Sequence, residues 1–280
     1  MTSMLTKIAK RGLGRIASGL GLDEMREEIR TLHGLCLTIQ YQTAVAPDDL
    51  PVPPLELHAL VSGKRDLEVS QFFSVGKLCA DFVVTSLRKH GCEIEQLETV
   101  LDFGCGCGRV IRHFHGLRRL QLYGTDYNPI LVEWCRRNLP FAQFDVNQLD
   151  PPLRYADETF GLIYAFSVFT HLPESLQLAW RTELLRILRP GGYLVITTLG
   201  ASLAQAWSRR DKDQFDSGRL LVFHEEAAGE NRCTAYHPEA YVRRTLAQGF
   251  NVLEFAPGAV GQDGYLLQKR DSLPRSVVVA

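Results

Sequence analysis

The run Leu101-Asp-Phe-Gly-Cys-Gly-Cys-Gly-Arg-Val110 holds the densest chemistry in this chain. An acid, Asp102, stands two residues ahead of Gly104, and Gly106 and Gly108 follow at the same spacing. Thr99-Val100-Leu101 before it reads as a strand, and Arg109-Val-Ile-Arg-His-Phe114 after it reads as the start of a helix. Lacking Cβ, the glycines allow positive φ and close approach of a ligand to the backbone. A helix N-terminus behind such a turn offers unpaired N–H groups to an electronegative ligand. The dinucleotide fingerprint is Gly-x-Gly-x-x-Gly. Here the third glycine comes one residue early and Arg109 stands in its place, which disfavours a nicotinamide oxidoreductase. Gln121-Leu-Tyr-Gly-Thr-Asp126 reads as a second strand, ending in a carboxylate 24 residues after Asp102. An ionised Asp at that position accepts from both ribose hydroxyls of a nucleoside.

The elements that would position these residues alternate. Strands are expected at 99–103, 120–125, 142–145, 161–166 and 193–199, with helices near 108–115, 129–138 and 174–188. This order argues for a parallel sheet with right-handed crossovers. A helix at 238–248 and strands at 250–256 and 264–270 follow; Pro257-Gly258 and Gly261–Gly264 mark a hairpin between those strands. Asn128-Pro129 suits a helix start, and Arg189-Pro-Gly-Gly192 a turn out of a helix into a strand. Residues 200–236 break the pattern, with Trp207, Phe215 and Phe223 among charges.

Ahead of the sheet, residues 1–68 read as a helical arm and a proline-rich linker, and 69–280 as the main domain. Leu5, Ile8, Leu13, Ile16 and Leu20 recur at helical spacing with Lys7, Lys10, Arg11 and Arg15 between them. That segment reads either as a basic anchor for an anionic membrane or lipid-linked substrate, or as an arm packing on the domain or a partner. Gly12, Gly14 and Gly19 weaken the helix and favour the second reading. A second helix starts at Asp23-Glu24. Four prolines in 44–54 favour an extended path, and Val69 to Lys89 is helical again, ending at His90-Gly91.

Composition narrows the function classes. A net charge of −1 gives no global field for nucleic acid or membrane. No run of 18 apolar residues suggests a spanning helix, and the N-terminus lacks the apolar core of a secretory signal. Seven cysteines with no Cys-x-x-Cys pair suit free thiols in a reducing cytoplasm. Cys105 and Cys107 lack a second Cys/His pair to complete four ligands, so no metal site is expected.

With Phe141-Ala-Gln-Phe-Asp145, Phe160-Gly-Leu-Ile-Tyr-Ala-Phe-Ser167 and Leu188-Arg-Pro-Gly-Gly-Tyr-Leu-Val-Ile-Thr197 in place, the chain from Thr99 to Arg270 resembles the class I (Rossmann-like) S-adenosylmethionine-dependent methyltransferases. The resemblance implies a doubly wound, mostly parallel seven-stranded sheet with a C-terminal antiparallel strand, preceded by the N-terminal helical extension. It implies S-adenosylmethionine as cofactor, with Gly104, Cys105 and Gly106 near the methionine portion and Asp102 beneath them, reaching the amino end. Asp126 would hold the ribose, Tyr127 would lie beside the adenine, and Asp145 and Val146 would border the adenine amino group, with Asn147 a close rival. Phe166 would complete the wall at the end of the fourth strand. In the resembling enzymes the helix before the first strand commonly closes over the cofactor.

Ser167-Val-Phe-Thr-His-Leu172 follows the fourth strand, a segment that reaches the transfer centre in those enzymes. His171 is the candidate general base, since imidazole titrates near neutral pH; a capping or carbonyl-bonding histidine is the plainer reading. His224, Tyr236 and His237 are second candidates. Pro53-Pro54-Leu55, Phe72-Phe-Ser-Val-Gly76, Trp134-Cys135 and Gln262-Asp263 also look like pieces of methyltransferases found with bacterial glycan-assembly enzymes. A hydroxyl or amine of a small molecule or glycan is the implied acceptor. A non-catalytic cofactor-binding or scaffold protein is the alternative. Residues 200–236 and the N-terminal helices are expected to form the acceptor pocket and its lid, with Trp207, Phe215 and Phe223 as apolar walls.

Overall fold

The computed structural model describes residues 22–64, 68–204 and 207–270. Three helices lead in: α1 (Leu22–Thr43), α2 (Leu55–Ser62) and α3 (Val69–Lys89). The sheet and its helices follow as β1 (Thr99–Phe103), β2 (Gln121–Asp126), α4 (Pro129–Asn138), β3 (Ala142–Val146), β4 (Phe160–Ala165), α5 (Glu174–Ile187) and β5 (Leu188–Thr198). Then come α6 (Arg209–Asp216), β6 (Leu221–Phe223) and β7 (Thr234–Tyr236), and finally β8 (Phe250–Ala256) and β9 (Asp263–Lys269). The seven-stranded order is β3-β2-β1-β4-β5-β9-β8, parallel except that β9 runs antiparallel to both neighbours.

The central strands explain themselves. All five residues of β1 and all six of β4 are buried, as a parallel strand covered on both faces requires. One face packs against α5 through Phe103, Trp180, Leu184 and Ile187. The other packs against α3 through Val83, Leu87, Val100 and Leu162. The order reverses between β1 and β4, and that switch opens the crevice at the carboxyl edge where ligands bind in such sheets.

Two local expectations fail. The segment after the glycine turn is no α-helix: it makes turns and a short 3-10 stretch, Ile111–Phe114. Tertiary contacts take over its geometry. The Arg112 side chain is fully buried; its Nε donates to Asp48 Oδ2 at 2.6 Å and one terminal nitrogen to the carbonyls of Leu50 and Pro51. Its guanidinium also lies 5.0 Å from the Phe73 ring centre. Likewise the helix expected at 238–248 is one α-turn, Glu239–Tyr241, followed by a π-turn, Val242–Leu246.

The Asp48–Arg112 pair stitches the proline-rich stretch onto the body. Burial alone would push Asp48 up; Arg112 overrides it and holds the carboxyl below its ordinary value. Arg112→Met strands that carboxylate and is expected to cost about 3–5 kcal/mol. A lower urea midpoint at unchanged slope is the expected readout, partly restored by adding Asp48→Asn. No helix among the described residues is long and apolar enough to cross a membrane.

Candidate active site

At the carboxyl edge lies a cavity of about 810 Å³, inside the size range of small-molecule sites. Its floor is the glycine turn. Gly104 has φ +81°, and a Cβ there would meet Val168 Cγ2 at 2.4 Å; Gly106 has φ +54°, and a Cβ would meet Val61 Cγ2 at 2.7 Å. Any side chain at either position would be strained and would collide with a wall. The turn is tied to β2: Gly104 and Cys105 donate to the Thr125 carbonyl, and Gly106 N–H donates to Asp126 Oδ2 at 2.9 Å.

Both expected acids are in this cavity and both are buried. Asp126 Oδ1 accepts from Asn128 N–H at 2.9 Å, so backbone donors grip each oxygen from behind. One further lone pair per oxygen remains for ribose hydroxyls. Burial pushes its pKa up, against those two N–H groups. Asp102 is different: its Oδ2 is buried and makes no well-formed hydrogen bond, the Tyr164 hydroxyl standing beside it out of good geometry, and burial pushes the carboxyl up to about 8 against the opposing pull of Tyr164 and the Ile111 N–H. An orphaned buried acid calls for a partner. A ligand ammonium would supply one, and the amino end of S-adenosylmethionine carries such a group. Arg109, also in the cavity wall, has a buried Nε without a partner and suits a carboxylate. The residues present therefore fit the cofactor.

Cys105, Tyr127 and Phe166 stand in the same wall. Asp145 and Val146 do not: the Asp145 carboxylate faces Arg136 and Arg154 at 3.5 and 3.2 Å. The rival, Asn147, lines the cavity and accepts from Thr125 Oγ1 at 2.7 Å. Asp145 and Asn147 would share a face of a regular strand, but β3 ends at Val146, and Asn147, just past it, is held to the cavity edge by the Asp126 carbonyl and the Thr125 hydroxyl.

His171 lies in the wall on the β4 side. Ser167, at φ +58°, turns the chain sharply as it leaves β4, a conformation a non-glycine residue adopts under tertiary constraint. A short 3-10 turn, Phe169–His171, then presents the imidazole. Nδ1 sits 2.7 Å from the Cys233 carbonyl, which can only accept, so Nδ1 carries the proton and Nε2 keeps its lone pair. Among the described residues Nε2 has no hydrogen-bond partner. Burial lowers the pKa below the ordinary histidine value, opposed by the Cys233 carbonyl. His237 is fully buried against Gln177, and His224 is exposed; neither these two nor Tyr236 lines the cavity.

The roof has two pieces. From the N-terminal side, α2 contributes Leu55, Glu56, Ala59, Leu60 and Val61. From the segment before β7 come Gly229, Glu230, Asn231 and Arg232. They meet where Asn231 Nδ2 donates to the Leu60 carbonyl at 2.9 Å. Tyr127 Oη donates to the Gly229 carbonyl at 2.7 Å, and Gly229 N–H donates to the His171 carbonyl at 2.8 Å. The expected lid is thus corrected in detail. Helix α3 lies on the sheet face, and α2 covers the cavity instead. Trp207, Phe215 and Phe223 are not walls: with Leu221 and Tyr236 they fill a small core of their own. Aromatic rings scattered through an irregular segment bury one another when no larger apolar surface is in reach. Arg109 and α2 escaped the sequence reading, although Arg109 directly follows the third glycine and Pro54 precedes a helical Leu-x-Leu-x-x-Leu spacing.

A doubly wound sheet with an acid-and-glycine cavity at its switch point defines a nucleoside-binding α/β enzyme fold. Residues 75–254 match the family described as a methyltransferase domain, and the chain belongs to that family, the S-adenosylmethionine-dependent methyltransferases. Two of the curated relatives that match illustrate the likeness. One is a 2-methyl-6-phytyl-1,4-hydroquinone methyltransferase of Synechocystis, 30% identical over 41% of this chain and 34% of that protein. The other is a malonyl-[acyl-carrier protein] O-methyltransferase of Enterobacter lignolyticus, 28% identical over 58% of this chain and 63% of that one. The chain thus spans about a third and just under two thirds of these relatives. Among solved structures, the Burkholderia thailandensis 1,6-didemethyltoxoflavin-N1-methyltransferase, determined with its substrate and S-adenosylhomocysteine, shares the fold at TM-score 0.53 and 17% identity, over 77% of this chain and 86% of that one.

Proposed function

We propose that this protein transfers a methyl group from S-adenosylmethionine to a hydroxyl of a polar small molecule or glycan. The carrying observation is the shared cavity: the orphaned Asp102 oxygen, the glycine turn and Asp126 stand on one side, and the unpartnered Nε2 of His171 on another. Asp102 and Arg109 would hold the cofactor's amino and carboxyl ends, Gly104 to Gly106 its backbone-facing stretch, Asp126 the ribose, and Tyr127 and Asn147 the adenine. Phe166 and Val168 close the apolar side.

When bound, the sulfonium supplies an electrophilic methyl carbon. The chain's task is alignment, water exclusion and removal of one proton. His171 Nε2 would take the proton of the acceptor hydroxyl, and the bound cofactor would supply the methyl group that replaces that proton on oxygen. Nδ1, bonded to the Cys233 carbonyl, keeps the imidazole in the accepting tautomer. The roof, closed by Asn231 on Leu60, keeps water out. Glu56, Glu230, Asn231 and Arg232 give it the polar groups a sugar-like acceptor needs. The free, mostly buried cysteines support a reducing, cytoplasmic setting.

Calorimetry with S-adenosylmethionine and S-adenosylhomocysteine, followed by S-adenosylhomocysteine release across hydroxyl, amine and glycan acceptors, tests this reading. Binding and hydroxyl-dependent turnover are expected. Absence of binding by folded protein at millimolar ligand would sink it. Binding without turnover on any acceptor would leave the scaffold alternative.

A further inference from the structure

Helix α1 carries a seam that the site does not use. Leu22, Met25, Ile29, Leu32, Cys36, Ile39 and Thr43 follow one another at alternating steps of three and four residues, three heptads long. Met25, Ile29, Leu32 and Ile39 are each 55–58% exposed, and Leu35 flanks them at 56%. The opposite face does the anchoring. Leu37 and Tyr41 are buried against the body, and Tyr41 Oη bonds His58 of α2. Only the C-terminal end of α1 is therefore packed, and its first turns pack on nothing among the described residues. A 22-residue helix with Gly34 inside it draws little stability from propensity alone. Such a stripe belongs against a partner helix.

We infer that α1 forms a parallel two-stranded coiled coil with α1 of a second copy of this chain. Leu22, Ile29, Cys36 and Thr43 take the a positions, and Met25, Leu32 and Ile39 the d positions. The flanking positions select the occupant and the direction. Parallel pairing sets the Glu28 carboxylate at g beside the His33 ring at e of the partner helix, whose N–H can donate to it, whereas antiparallel pairing sets Arg26 against His33, two donors, and leaves Glu28 without one. Asp23, Glu24, Glu27 and Glu28 outweigh Arg26 and Arg30, so α1 is net acidic and unsuited to an anionic bilayer. The seam would run about 33 Å, and its C-terminal end leads through the Asp48 stretch into the roof helix α2.

Cys36 reports the arrangement, because it is the exposed cysteine and the other six are buried. In a parallel, in-register pair the two Cys36 side chains share one a layer. The full chain in sedimentation equilibrium is expected at about 63 kDa, twice 31.5 kDa. Mild oxidation is expected to give a covalent dimer on a non-reducing gel that Cys36→Ser removes. Ile29→Asp with Leu32→Asp is expected to yield the 31.5 kDa monomer, with urea midpoint and cofactor binding of the body unchanged. A monomer across micromolar to submillimolar concentrations overturns the proposal. So does a dimer that survives the double substitution, a Cys36 that never crosslinks, or binding of the monomer to phosphatidylserine vesicles. A monomer whose Cys36 becomes thiol-reactive only on removal of residues 1–21 also overturns it, by naming that segment as the cover.

Discussion

Asp126→Ala is expected to weaken S-adenosylmethionine binding by about 10²-fold or more, because hydrogen bonds to a charged group are worth roughly 1.5–3 kcal/mol each. The carboxylate is held in place before any ligand arrives. Gly106 N–H and Asn128 N–H each donate to it at 2.9 Å. The alanine variant also leaves those two donors without an acceptor, so a stability loss of about 1–3 kcal/mol is expected alongside. Asp126→Asn separates the two effects, since its amide oxygen keeps one backbone acceptor while the charge is gone. Calorimetry on both variants, with melting curves as control, gives the answer. Unchanged affinity in a folded Asp126→Ala protein would remove the ribose assignment.

His171→Ala is expected to lower kcat by about 10²–10⁴-fold, the usual contribution of a general base. Cofactor affinity should stay within a few fold, because Asp102, Asp126 and the glycine turn are untouched. The pH profile distinguishes a base from a packing residue. The reactive form is the neutral imidazole, and burial lowers the folded pKa below the ordinary histidine value. Activity is therefore expected to be level at neutral pH and to fall tenfold per unit once the pH drops below that lowered value. The acid limb should vanish in His171→Ala. Full turnover in that variant would end the base assignment and leave the cavity assignment standing.

The same histidine shows how far the sequence reaches. Its type and its place after the fourth strand made it a candidate, yet its tautomer depends on the carbonyl of Cys233, sixty-two residues away. Asp145 shows the opposite failure. It is the acid near the end of the third strand, but its carboxylate pairs with Arg136 and Arg154, and the residue that reaches the wall is Asn147, just past the end of β3 where the chain leaves the strand geometry.

What the sequence by itself determined is local or periodic. The glycine turn needs residues without Cβ at Gly104 and Gly106, so those letters mark the turn. Apolar runs bounded by turn residues gave the five core strands, and the Pro257 to Gly264 signals gave the β8–β9 hairpin. Asp126 was legible because a βα unit has a fixed length. Only the tertiary structure decided the roof and the orphaned acid. Residues 55–63 and 229–232 meet over the cavity through Asn231 and Leu60, 171 residues apart, and no spacing rule joins them. Trp207, Phe215 and Phe223 went into their own core for the same reason: which apolar surface lies within reach is a property of the assembled chain. Burial of Asp102, which pushes its carboxyl up to about 8, likewise exists only once β1, β4 and the turn have closed around it.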